Sequence, residues 1–156
     1  MEESWKPTIE RRLVLDTSIL IEYIVKKAPY RSKVKKLFNK AAEKALNLYV
    51  NPITLSETLY VASRIYTASK LPSPNEEALN YLEWIKTRAN IVKITDETAV
   101  RAGELKKDLR ITLPDCYVIA TAIETSATPI FTKVEKEMEP VLPKLEKLGV
   151  TFLSQL

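Results

Sequence analysis

The chain has 156 residues, of which 46% are hydrophobic, and its 24 Lys and Arg outnumber its 20 Asp and Glu, for a net charge of +4. Because it has no histidine, it cannot build a Ser-His-Asp or Cys-His relay or a histidine-ligated zinc site, so any chemistry must rely on carboxylates. Its two glycines leave no room for the glycine-rich loops that cradle phosphates in nucleotide-binding enzymes.

Length and composition predict a single domain over residues 1–156, since the longest cluster of helix breakers, 70–75, is short. The lone cysteine, Cys116, excludes an internal disulfide. The sequence has neither an apolar leader run near the N-terminus nor a run long enough to span a bilayer, which predicts a cytoplasmic protein. The excess of basic residues gives weak support to a polyanionic partner such as nucleic acid.

Five short apolar runs alternate along the chain with segments of helical periodicity. The predicted strands are 13–16, 46–50, 91–94, 129–132 and 150–153. The predicted helices are 19–26, 31–43, 55–69, 75–88, 97–109, 114–125 and 134–148, the last broken near Pro140. This alternation predicts an α/β fold, in which helices cover both faces of a central, mainly parallel five-stranded sheet.

Asp16 closes the first predicted strand and is followed directly by Thr17 and Ser18. Aspartate is a good helix N-cap, so one interpretation is that it only caps the following helix. The other is that a neighbouring hydroxyl does the capping and leaves the carboxylate free to hold a ligand. The carboxyl ends of strands in open α/β sheets are where ligands bind, which favours the second interpretation.

Several predicted helix starts carry Ser or Thr followed three residues later by an acid, the pattern of a capping box. The pairs are Thr54 with Glu57, Ser73 with Glu76, Thr112 with Asp115, and Thr132 with Glu135. Since Pro74 suits the first turn of a helix, the Ser73 pair is interpreted as a plain helix start. The other three acids either take part in capping or contribute to a site.

Three of the acids are expected to meet. If the strands are parallel, Asp16, Glu57 and Asp115 all lie beyond the same edge of the sheet and converge on one cleft. Like charges repel unless a cation or a proton intervenes, and clustered carboxylates are hard oxygen ligands that suit Mg²⁺ or Mn²⁺. A site of this kind performs metal-assisted hydrolysis of phosphate esters.

The order of these segments resembles the PIN-domain nucleases, specifically the VapC-like ribonuclease toxins of toxin-antitoxin pairs. The similarity covers nearly the whole chain. The segments that carry it are Leu15-Asp16-Thr17-Ser18-Ile19-Leu20-Ile21, Ser56-Glu57, Ala102-Gly103-Glu104-Leu105-Lys106 and Asp115-Cys116-Tyr117-Val118-Ile119-Ala120-Thr121-Ala122.

This resemblance implies a three-layer α/β/α domain that cleaves RNA endonucleolytically with Mg²⁺ or Mn²⁺. It implies that Asp16, Glu57 and Asp115 are catalytic metal ligands, and that the hydroxyl of Thr17 or Ser18 orients the water on the metal. It also implies a homodimer and a cognate antitoxin.

This chain departs from the pattern of that family at the position of the fourth acid. That acid usually stands two residues after the Thr that ends the fourth strand, and here that position holds Val134. Glu135 follows, but one residue around a helix start turns a side chain by about 100°. Glu135 is therefore either the fourth metal ligand or the capping partner of Thr132. If Val134 prevents the site from binding a second metal ion, nuclease activity should be weak or absent.

Basic residues near these acids are candidates for substrate binding. Most Lys and Arg are interpreted as solvated helix faces, but Arg110 shortly precedes Asp115, and Lys133 follows the fourth strand. These two side chains, with Thr17, are the predicted contacts to RNA phosphates.

Two other functions compete with the nuclease. A receiver-type switch domain also has an Asp at a strand end and a Thr-Lys pair, here Thr132-Lys133, but Asp96 is a doubtful phosphoacceptor. The second competing function is that of a degenerate nuclease fold, which binds RNA or protein without cutting. Metal titration separates this binding module from the enzyme.

Overall fold

The computed structural model of the protein describes residues 11–156. The first ten residues of the predicted domain, where the sequence has no apolar leader run, lie outside the described residues. The strands are β1 (Arg12–Leu15), β2 (Asn47–Val50), β3 (Asn90–Ile91), β4 (Thr128–Phe131) and β5 (Thr151–Phe152). The α-helices are α1 (Thr17–Ile24), α2 (Arg31–Ala42), α3 (Pro52–Ala68), α4 (Pro74–Lys86), α5 (Asp96–Leu109), α6 (Leu113–Thr125) and α7 (Leu142–Lys147). Two 3₁₀ helices cover Lys136–Val141 and Leu153–Gln155.

The strands form one parallel sheet in the order β3-β2-β1-β4-β5, which confirms the predicted α/β class. β1 lies at the centre, and the chain leaves it first toward β2 and β3 and later toward β4 and β5. The crevice between the carboxyl ends of β1 and β4 is therefore the topological switch point, where ligands bind in such sheets. A receiver domain has the order 2-1-3-4-5. The observed order excludes the receiver interpretation.

Successive side chains of β1 point to opposite faces of the sheet, so each face has its own buried cluster. Leu13 and Leu15 pack into one buried cluster with α1, α2 and α4, whereas Val14 packs into another with α5, α6 and the 3₁₀ helix at Lys136–Val141. Helices thus cover both faces, as the α/β/α prediction requires. Within the described part of the chain, no helix is long and apolar enough to cross a membrane.

The ends of most predicted elements shift by a few residues, and two elements differ more. β3 pairs only at Asn90–Ile91 instead of over 91–94, although the Val92 amide still donates to the Val50 carbonyl at 2.8 Å. The predicted helix 134–148 is split, as expected near Pro140, but its first half is the 3₁₀ helix Lys136–Val141. A proline lacks an N–H and clashes with the preceding turn, so a short 3₁₀ segment replaces the α-helix here.

Candidate active site

Asp16 stands in extended backbone directly after β1 and caps α1. Its Oδ2 accepts a hydrogen bond from the Ser18 amide at 2.9 Å, and only 7% of the residue is exposed. The prediction that a neighbouring hydroxyl would cap the helix in its place is wrong, because an aspartate in extended backbone reaches the first amides of the helix directly. Capping also fixes the carboxyl group at the switch point.

The two hydroxyls after Asp16 connect it to other elements of the site. The Thr17 hydroxyl donates to Glu57 Oε1 at 2.7 Å, and Ser18 Oγ accepts from the Thr132 amide at 3.1 Å. The start of α1 is therefore tied to α3 on one side and to the end of β4 on the other.

Glu57 lies in the second turn of α3, half-buried at the same edge of the sheet. The helix begins earlier than predicted because Asn51 is its N-cap: Asn51 Oδ1 accepts from the Thr54 amide at 2.9 Å, and Pro52 occupies the first turn. The interpretation of Glu57 as the capping partner of Thr54 is therefore wrong, and its carboxylate meets Thr17 instead.

Asp115 lies in the first turn of α6 and is half-buried. Thr112 is the N-cap, and its hydroxyl accepts from the Asp115 amide at 3.4 Å, so the capping role expected of Thr112 is confirmed. The structure likewise places Ser73 as the N-cap residue of α4, although its side chain makes no capping hydrogen bond.

The three acids influence one another electrostatically. Burial, and then the charges of Asp16, Glu57 and Glu137, raise the pKa of Asp115 to about 7 against the opposing effect of the Thr112 hydroxyl. Burial also raises the pKa of Asp16; hydrogen bonds from Ser18 oppose this shift, and the charge of Glu57 adds to it. The charges of Asp16 and Glu57 are therefore close enough to Asp115 to disfavour its charged form, and the charge of Glu57 does the same to Asp16.

The side chains present fit a divalent cation. Between residues 11 and 156, no three acidic, cysteine or histidine side chains already form a metal-binding group. Yet buried oxygen donors that destabilise one another's charge are the environment that a hard cation stabilises. The buried hydroxyl of Thr132, at the end of β4, also has no hydrogen-bond partner among residues 11–156.

The region of the fourth acid is arranged differently from the predicted capping pair. The Thr132 hydroxyl makes no capping bond, so that interpretation of Thr132 and Glu135 is wrong. Val134 packs half-buried against the apolar cluster, and Glu135 is exposed at the start of the 3₁₀ helix. The acid whose charge reaches Asp115 is Glu137.

Sequence reasoning did not identify Glu137, because it treated 134–148 as α-helix up to Pro140. The sequence features that could have identified it are Pro140 and the apolar Met138, which is fully buried beside Glu137. Glu137 lies in a tight 3₁₀ turn anchored by this methionine, and its charge reaches Asp115 from there.

The two predicted basic contacts flank the acids. Arg110 is exposed in the left-handed conformation that ends α5, shortly before α6. Lys133 is exposed just beyond β4. Both lie in connections at the carboxyl edge of the sheet.

Comparisons with known proteins agree with this geometry. The PIN domain family model matches residues 13–133, a span that includes Asp16, Glu57 and Asp115 and ends before Glu135. A ribonuclease VapC from Rickettsia bellii is 29% identical over 143 residues, which cover 88% of this chain and 96% of that protein.

Solved structures share the fold. DNA-bound VapBC from Salmonella typhimurium matches with a TM-score of 0.66 at 18% identity, covering 92% of this chain and 98% of the other. DNA-bound VapBC2 from Rickettsia felis matches with a TM-score of 0.64 at 20% identity, covering 90% and 98%. The family match spans most of the chain and contains the three acids at the switch point: the chain belongs to the PIN domain family.

Proposed function

We propose that this protein is a Mg²⁺- or Mn²⁺-dependent endoribonuclease and the toxin of a toxin-antitoxin pair. One observation carries the proposal. Asp16, Glu57 and Asp115 come from three different elements, yet Thr17, next to Asp16, donates to Glu57 at 2.7 Å, and the charges of Asp16 and Glu57 both help to raise the pKa of Asp115. Acids with raised pKa values that lie together in a cleft are typical of functional sites.

Asp16, Glu57 and Asp115 are the proposed metal ligands, and Glu135 and Glu137 are the candidates for a fourth. When bound, Mg²⁺ or Mn²⁺ supplies Lewis-acid stabilisation of the charge that develops on the phosphodiester and lowers the pKa of water. Oxygen donors alone, without histidine or a cysteine pair, favour these ions over zinc.

The remaining chemistry falls to the side chains. Water attacks phosphorus in line, the bond to the 3′ oxygen breaks, and the products carry a 5′-phosphate and a 3′-hydroxyl. In a chain without histidine, a carboxylate of the cluster accepts the proton of the attacking water. Thr17 orients Glu57 through its 2.7 Å hydrogen bond, and Ser18 holds Asp16 against the end of β4.

RNA is the proposed substrate, held through its phosphates by Arg110 and Lys133. The hydroxyl of Thr17, also predicted to contact phosphate, already gives its one hydrogen to Glu57. The relative named ribonuclease VapC supports RNA, and the VapBC complexes among the structural neighbours support a cognate antitoxin. We further propose that the protein consists of one domain and forms a homodimer, as VapC-like toxins do.

A second candidate is a catalytically weak or inactive module that binds RNA or protein. It is favoured by Val134, which packs half-buried against the apolar cluster at the position where the family usually has its fourth acid.

Cleavage assays separate the two candidates. We expect purified protein to cut single-stranded or structured RNA with Mg²⁺ or Mn²⁺ but not with a chelator. Asp16→Asn should abolish cutting. Asp108→Asn should not, because Asp108 only pairs with Lys144 on the surface. Cleavage that persists in Asp16→Asn would refute the assignment, whereas metal binding without cleavage would favour the inactive module.

A further inference from the structure

Asn51 is a fully buried polar residue whose side chain bonds in two directions. It follows β2 and has 0% exposure. Its Oδ1 accepts from the Thr54 amide at 2.9 Å. Its Nδ2 donates to Thr121 Oγ1 at 3.0 Å and to the Tyr117 carbonyl at 3.3 Å. The amide nitrogen thus donates toward a hydroxyl and a carbonyl that both belong to α6, and one lone pair of the amide oxygen is used on α3.

The network fixes the orientation of this amide. The Thr121 hydroxyl donates its own hydrogen to the Tyr117 carbonyl at 2.7 Å, so it can only accept from Asn51. A flipped amide would set Oδ1 against the Tyr117 carbonyl and Nδ2 against the Thr54 amide, opposing acceptor to acceptor and donor to donor. A buried network of this kind has one low-energy arrangement.

This network joins the two helices that carry site acids. Thr54 lies in the first turn of α3, three residues before Glu57, and Tyr117 lies two residues after Asp115 on α6. Of the side-chain hydrogen bonds between residues 11 and 156, only those of Asn51 connect the start of α3 to α6.

We propose that Asn51 is a positioning residue for the active site: it holds the start of α3 against α6 and so sets the separation of the Glu57 and Asp115 carboxylates. Serine or aspartate would cap α3 equally well, but neither has the amide donors that reach α6. The importance of this separation for metal binding rests on the proposed function.

Three variants separate positioning from capping. Asn51→Ser keeps a capping oxygen and removes the link to α6. Thr121→Val removes the nearer of the two acceptors on α6 and leaves the cap intact. The matched control is Tyr81→Phe, which removes the buried 2.6 Å hydrogen bond to the Leu20 carbonyl, away from the contact of α3 with α6. Each lost bond should lower Tm by roughly 2–4 °C.

The first measurement needs no metal. Spin labels attached at Tyr60→Cys on α3 and Ile123→Cys on α6, both exposed positions, report the distance between the helices in a Cys116→Ala background. We expect Asn51→Ser and Thr121→Val to broaden or shift the distance distribution, and Tyr81→Phe to leave it unchanged.

The second measurement is the affinity of the protein without RNA for Mn²⁺. It should fall about tenfold in both link variants and stay at the wild-type value in Tyr81→Phe. In cleavage assays kcat should fall in the link variants without a change in KM.

Asn51 is only a cap if Asn51→Ser lowers Tm while the distance distribution and the Mn²⁺ affinity stay at wild-type values. A changed distance with unchanged Mn²⁺ affinity also overturns the positioning role. If the wild-type protein binds no Mn²⁺ but Asn51→Ser still changes the distance, the proposed function fails and the role of Asn51 in placing the helices stands.

Discussion

The hydroxyl of Thr17 donates a 2.7 Å hydrogen bond to Glu57 Oε1, across 40 positions of sequence. Thr17 is the residue directly after Asp16, so the backbone that places the first acid also orients the second. The bond fixes the rotamer of a half-buried glutamate that would otherwise have several staggered conformations available. Orientation of a metal ligand by such a neighbour is common in metal sites.

Replacing Thr17 by Val should lower RNA cleavage about tenfold or more, because Glu57 loses the bond that orients it. The free energy of unfolding should change by only about 1 kcal/mol, the value of one hydrogen bond. Initial cleavage rates and thermal melts measure the two effects. Thr17→Ser is the matched control, since it keeps the hydroxyl and should retain most activity. Wild-type cleavage by Thr17→Val would show that the bond has no catalytic role.

The sequence was sufficient to predict the sheet and to single out its three acids. Asp16 follows an apolar run, and Glu57 and Asp115 follow helix-start signals, so a parallel sheet must bring them to one edge. What the sequence could not reveal was the partner of each side chain. Thr17 bonding to Glu57 is a tertiary contact between residues far apart in the chain, and no local pattern encodes it.

Competition between local helix signals explains the remaining differences between the predicted and the observed elements. At α3, two possible caps stand three residues apart, Asn51 and Thr54, and the structure uses Asn51, which places Glu57 beyond the first turn. Near Pro140 the chain forms a 3₁₀ helix in place of the predicted α-helix, and the charge of its Glu137 reaches Asp115. Both outcomes depend on burial of neighbouring side chains, which a single sequence does not specify.

The raised pKa of Asp115 predicts how the metal-free protein responds to pH. Its ordinary pKa is 3.8 and its folded value is about 7, so the folded protein holds a proton that the unfolded chain has lost. The stabilisation is complete below pH 3.8 and is lost as the pH rises through 7. We expect the free energy of unfolding of wild type, relative to Asp115→Asn, to decline between those values in denaturant titrations.

The same proton should compete with the metal. A carboxyl group must lose its proton to bind Mn²⁺, so affinity should rise about tenfold per pH unit below 7 and level off above it. Isothermal titration calorimetry in two buffers of different ionisation enthalpy would count the released proton. Saturating Mn²⁺ should also remove the decline in stability described for Asp115. A Mn²⁺ affinity independent of pH between 5 and 7 would argue against Asp115 as a ligand.

The fourth acid can be assigned by comparing two neutral substitutions. The charge of Glu137 reaches Asp115, whereas Glu135 stands exposed at the start of the same 3₁₀ helix. We therefore expect Glu137→Gln to weaken Mn²⁺ binding about tenfold and Glu135→Gln to have little effect. Both glutamates are exposed, so neither change should alter Tm appreciably. The reverse order of effects would assign the position to Glu135.

Arg110 and Lys133 should contribute electrostatically to RNA binding, independently of cleavage. Each phosphate contact on a single strand adds about 0.7 to the slope of log affinity against log salt. With a chelator present to prevent cutting, the double replacement by Ala should reduce that slope by roughly 1.4. Lys86→Ala is the matched control. Lys86 ends α4 just before β3 begins, at the opposite edge of the sheet, and forms an ion pair with Glu83. An unchanged slope in the double variant, or an equal loss in Lys86→Ala, would mean that RNA is bound elsewhere.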